Sequence, residues 1–124
     1  MDSSDSWILH YADRAPAFYT VDQGYDVWLG NFRGNKYSRN HTEMDPDTNM
    51  TFWREVNWRT HSDFDLPASF DYIARVTGYK KVAYVGHSMG TTVMFRMMAT
   101  NYNYFHKRVS VYIPLAPLVH IAHT

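Results

Sequence analysis

The chain has 124 residues, the size of one domain. It is 45% hydrophobic and 19% charged with formal net charge zero, which excludes a disordered chain and argues against nucleic acid or any other polyanion as a partner. There is no cysteine, so disulfides are excluded, and the longest apolar run, "VYIPLAPLVHIA", carries two prolines and falls short of the ~20 residues that span a bilayer.

The start, "MDSSDSW", lacks the basic and apolar regions of a signal peptide, so none is expected, and the chain reads as soluble. The early part is loop-like to Asp13. In "APAFYTVDQG", Phe18 and Val21 lie three apart and Gly24 can take the left-handed position that ends a helix. "YDVWLGN", Tyr25 to Asn31, predicts a short strand closed by Gly30. Residues 31 to 57 are polar and read as a long loop, with the basic residues Arg33, Lys36 and Arg39 solvated.

A helix is predicted over Asp63 to Thr77, with Asp65 as its cap, Pro67 in its first turn and Gly78 at its end. Leu66, Phe70, Ile73 and Ala74 give it an apolar face. "KKVAYVG" is a nearly continuous apolar run, as in a strand buried on both faces. Thr91 to about Tyr102 predicts a second helix with Val93, Met94, Met97 and Met98 clustered on it. "RVSVYIPLA" predicts a third strand with Val109, Val111 and Ile113 on one face. Strands alternating with helices imply a parallel sheet and the α/β class.

Between the second strand and the second helix stands Gly86-His87-Ser88-Met89-Gly90. A nucleophilic serine needs exposure, a base, and donors for an oxyanion. A sharp strand-to-helix turn lifts the hydroxyl above the sheet edge and aims the N–H of the next residue, Met89, at the developing charge. The positive end of the helix adds to this. So tight a turn calls for small residues two before and two after the serine, hence Gly86 and Gly90. By composition the pentapeptide arises by chance in about one chain in 25 of this length, so the flanking strand and helix decide the reading.

"GYDVWLGNFRGNKYSRNH", "FDLPASFDYI", "TGYKKVAYVGHSMGTT" and "PLAPLVHIAH" stand in order along nearly the whole chain. These blocks and their spacing resemble the acid lipases, of the gastric and lysosomal acid lipase type, within the α/β-hydrolase superfamily. The resemblance implies hydrolysis of triacylglycerols or sterol esters by a Ser-His-Asp triad, with no metal or organic cofactor. Ser88 matches the family nucleophile, and the elbow residues are Gly86, His87 and Gly90. Met89 stands where the family usually has glutamine, but the contribution there is a backbone N–H.

The resemblance further implies that residues 1–124 form a partial α/β-hydrolase domain. The family's His-Gly-Leu segment, source of the second oxyanion donor, precedes the block resembling "MDSSDSW", and the triad acid and base lie past Thr124. On this reading the 124-residue chain alone is inactive. A makeshift base at His120 or His123 is the less favoured option, and the rival class is a non-catalytic α/β module or interaction protein derived from a lipase.

Asn40-His41-Thr42 and Asn49-Met50-Thr51 are glycosylation sequons in the long polar loop, and both asparagines are candidate acceptors. They fit a lysosomal or secreted parent. The partners implied are a neutral lipid ester and, for the full-length parent, a lipid-droplet or micelle surface. The oligomeric state stays open.

Overall fold

The computed structural model describes residues 3–119. The chain divides into two compact units, Met1–Trp53 and Arg54–Thr124.

The first unit is built mostly from turns held by side chains. A single helical turn, Ser4–Trp7, is tied to the loop after it. Ser4 N–H donates to Asn31 Oδ1 at 3.0 Å, and Asn31 Nδ2 donates back to Ser4 Oγ at 3.0 Å. Asp5 pairs with Lys36 and accepts from the Tyr37 hydroxyl at 2.9 Å. Lys36, then Tyr37, hold the Asp5 carboxyl below the usual carboxylate range. Helix α1 (Pro16–Asp22) has proline in its first turn, where no N–H is needed, and Gly24 follows at φ +87°. It buries Ala17, while Phe18 and Val21 are exposed.

The predicted strand at Tyr25 to Asn31 does not form. Residues 25–30 join no sheet among the described residues. Apolar composition marks a strand, but its N–H and C=O groups need a ladder partner, and the segment has none there. The loop beyond is more ordered than expected. It carries helix α2 (Met50–Arg54). Two of its predicted solvated cations are paired, Lys36 with Asp5 and Arg39 with Asp47. The Arg39 guanidinium also lies 5.2 Å from the Trp53 ring centroid.

The second unit begins with a helix longer than predicted. Asn57, not Asp65, caps it: its side chain accepts from the N–H groups of Arg59 and Thr60, and Thr60 Oγ1 accepts from Asn57 N–H. The winding runs through α3 (Trp58–Thr60), a wide π-type turn (His61–Asp65) and α4 (Leu66–Thr77). Asp65 lies within this winding at φ −71°, ψ −43°, and its carboxylate sits 3.0 Å from His61 Nδ1. The wide turn, with Leu66 N–H donating to His61 O, stands directly before Pro67, which cannot continue a regular α ladder. Gly78 closes α4 at φ +78°.

Strands β1 (Val82–His87) and β2 (Val109–Leu115) pair in parallel, joined through α5 (Met89–Thr100) and α6 (Tyr102–Arg108). Tyr84 and Tyr112 stand on one sheet face, against Phe70 of α4 and Phe95 of α5, with ring centroids 5.3–6.0 Å apart. Leu66, Phe70, Val93, Met94, Met97 and Val109 are the buried apolar residues among those described in this unit. The register slips at the start of the ladder, where Val82 pairs with Val109 but Ala83 with Val111. That bulge at Ser110 reverses the alternation. Val109 is buried, but Val111 and Ile113 lie on the opposite, exposed face beside Val85, contrary to the predicted single face.

Candidate active site

The site is the junction of β1 and α5. Ser88 has φ +51° and ψ −117°, a conformation that non-glycine residues adopt at a cost of order 1–3 kcal/mol and that is found where the surrounding structure imposes it. Its N–H donates to the carbonyl of Leu115, the last residue of β2, at 3.0 Å. Ala116, the next residue, also has positive φ, +47°. The two positive-φ residues thus follow directly on the ends of the two paired strands, and the Ser88 N–H bond to Leu115 joins those ends.

Helix α5 starts at Met89, two residues earlier than predicted, because the turn completes within Ser88 itself. As the first helical residue, Met89 has an N–H with no acceptor inside the helix, at its positive end. The Ser88 carbonyl accepts twice from Thr91, from the N–H at 2.9 Å and from Oγ1 at 2.6 Å.

The glycines differ in role. A Cβ on Gly86 would come within 2.9 Å of Tyr84 Cε1 and 3.1 Å of the Gly90 backbone, so only glycine fits without a shift. A Cβ on Gly90 would have as its nearest described neighbour Tyr84 Oη at 3.5 Å, an ordinary contact. The requirement for a small residue therefore lies at Gly86.

Around the turn stands a set of hydroxyls that the pentapeptide motif does not contain. Tyr84 donates to Gly90 O at 3.1 Å, and Tyr112 donates to Thr91 O at 3.0 Å. Burial raises both phenol pKa values above the ordinary range, and Tyr112 adds to the effect on Tyr84. Thr91 Oγ1 accepts the Leu118 N–H at 3.0 Å, while Thr92 Oγ1 donates to Leu118 O at 2.7 Å. The signal for these was the Thr91-Thr92 pair in the first turn of a helix, where unpaired backbone groups gather.

His87 ends β1 on the face opposite Tyr84 and is exposed. No described histidine is hydrogen-bonded to Ser88. His120 and His123 lie outside the described residues. The structure brings together Gly86 to Gly90; Asn40 and Asn49 belong to the other unit.

A family model described as the alpha/beta hydrolase fold matches residues 2–121. The chain belongs to that family. Its relatives bear out the acid-lipase resemblance. It is 43% identical over 124 residues to Lipase 1 of Drosophila melanogaster, covering 100% of this chain and 28% of that protein. Human gastric triacylglycerol lipase is 39% identical over 122 residues, and human Lipase member K 38% over 122 residues, each covering 98% of this chain and 30% of the relative. The hydrolase segment thus spans under a third of the length of these curated relatives. No helix among its described residues is long and apolar enough to cross a membrane.

Proposed function

We propose that this chain is the elbow-bearing segment of an acid-lipase-type serine ester hydrolase, and that Ser88 is its nucleophile. The observation that carries the reading is the Ser88 backbone, held at φ +51° between a parallel strand and a helix, with the N–H of Met89, the first helical residue, beside it. In the reaction Ser88 Oγ attacks the ester carbonyl carbon and its proton passes to a base on sequence beyond this chain. The Met89 N–H donates to the carbonyl oxygen as it takes up negative charge. The alcohol leaves with that proton, and water then releases the fatty acid from the acyl-enzyme.

The names of the relatives, lipases and a gastric triacylglycerol lipase, support a lipid ester as substrate; we propose a triacylglycerol or sterol ester, met at a lipid-droplet or micelle surface. We further propose a secreted or lysosomal parent, and a 124-residue chain that alone hydrolyses nothing, since a second oxyanion donor and the base are supplied elsewhere. The test is Ser88→Ala in the full-length protein, which abolishes ester turnover and labelling by a fluorophosphonate probe; the triad as a unit is worth on the order of 10⁶ in rate. Undiminished turnover in that variant would overturn the assignment.

A further inference from the structure

We propose that Thr91 is a positioning residue for the oxyanion donor, an inference that rests on the reading of Ser88 as nucleophile. The Ser88 C=O and the Met89 N–H belong to one peptide group. In a planar trans peptide the two bonds point in opposite directions, so whatever holds the carbonyl also aims the N–H. The Ser88 carbonyl is held twice by one residue, from Thr91 N–H at 2.9 Å and Thr91 Oγ1 at 2.6 Å.

The direction of the hydroxyl proton follows from its other partner. Thr91 Oγ1 accepts the Leu118 N–H at 3.0 Å, and that N–H brings its own hydrogen. The single hydroxyl hydrogen is therefore the one on the Ser88 carbonyl. Thr91 is wholly buried, so water does not compete for either bond. Two donors on the carbonyl also polarise the peptide, which strengthens its N–H as a donor. The hydroxyl thereby links the segment after β2, through Leu118, to the amide that meets the oxyanion.

Thr92 supplies the control. Its Oγ1 donates to Leu118 O at 2.7 Å, so it clamps the same segment without touching the Ser88 peptide. In the full-length protein, Thr91→Val removes the hydroxyl at constant shape. It lowers kcat on a short soluble ester by ~10- to 100-fold, part of the ~10²–10³ that a lost oxyanion donor costs, and leaves KM within about twofold. It weakens binding of a trifluoromethyl ketone, a transition-state mimic, by a matching factor. Thr91→Ser restores most of both, and Thr92→Val, which loses one exposed bond to the same segment, leaves both near the parent value. Thr91→Ala gives the same comparison where the valine variant does not fold. A folded Thr91→Val protein with parental kcat, or equal loss in Thr92→Val, overturns the proposal while Ser88→Ala remains inactive. Turnover that survives Ser88→Ala removes the nucleophile reading, and this proposal with it.

Discussion

Tyr84 and Gly90 are joined across the elbow: the phenol of β1 donates to the carbonyl in the first turn of α5, 3.1 Å away and six residues on. The tyrosine lies beneath the turn, with its ring edge against the position a Gly86 side chain would need. One residue thereby both braces the turn and excludes any Cβ at its entry.

This predicts unequal costs for two like substitutions. Gly86→Ala forces the Tyr84 ring or the Gly90 backbone to move and destabilises by about 1–3 kcal/mol, the usual range for overpacking. Gly90→Ala meets only an ordinary contact and gains helix propensity, so its change stays within about 1 kcal/mol. Urea unfolding of the full-length variants measures the difference, and equal losses would refute the distinction.

The strain at Ser88 predicts a trade between stability and turnover. Ser88→Ala and Ser88→Gly both lose the nucleophile, but only glycine accepts φ +51° freely. The glycine variant is therefore more stable than the alanine variant by about 1 kcal/mol, with both inactive. Calorimetric melts of the two side by side check the order.

His61 is wholly buried in the wide helical turn, with Asp65 Oδ2 3.0 Å from its Nδ1. Asp65→Ala leaves that imidazole nitrogen without this partner and costs about 1–3 kcal/mol. Asp65→Asn retains a hydrogen-bonding oxygen and costs less. Denaturant midpoints that fail to separate the two variants would show that the pair contributes little.

The elbow was legible in the sequence because its requirements are local: a glycine, a serine and the elements on either side, Val82 to Thr100, are contiguous in the chain. So were α5, β1 and the Gly78 stop. What was not legible depends on partners distant in the chain. Tyr25 to Gly30 has the composition of a strand but no ladder among the described residues. The bulge at Ser110 reverses an alternation that composition alone makes regular. The helix start at Asn57 was hidden because the polar run from Arg59 to Asp63 and one wide turn obscure the 3.6-residue period before Leu66.

Tyr84 also predicts a pH dependence. Its folded-state pKa is raised, chiefly by burial, so the folded protein keeps the proton longer than the unfolded chain, whose phenol titrates near 10. Stability from this group is complete below the unfolded value and is lost as the pH rises above it. Above about pH 10 the parent loses stability more steeply than Tyr84→Phe, by up to about 1.4 kcal/mol per pH unit. Denaturant midpoints across the alkaline range measure the slopes, and parallel slopes would contradict the assignment.

The two sequons are predicted to differ as acceptors. Asn40 is exposed, whereas the Asn49 side chain is half-buried and accepts the Thr51 N–H at 2.9 Å, capping α2. In a eukaryotic secretory host Asn40 carries glycan at higher occupancy than Asn49. Glycosidase-sensitive mass shifts in Asn40→Gln and Asn49→Gln proteins report each site, and the reverse order would count against this view of the loop.

The wide turn at His61–Asp65 acts as a length buffer. It takes up one residue more than α winding would use, so the turns on either side keep the alignment of an unbroken helix one residue shorter. Removing a single residue there would rewind the segment as plain α-helix and leave Trp58 beside the Arg96 guanidinium, now 5.6 Å from its ring centroid, with Leu66 and Phe70 still seated. The same deletion in the regular winding between Leu66 and Phe70 would turn Trp58 by about 100° relative to Phe70. Positions 61 to 65 are thus the place where this helix tolerates a change of length.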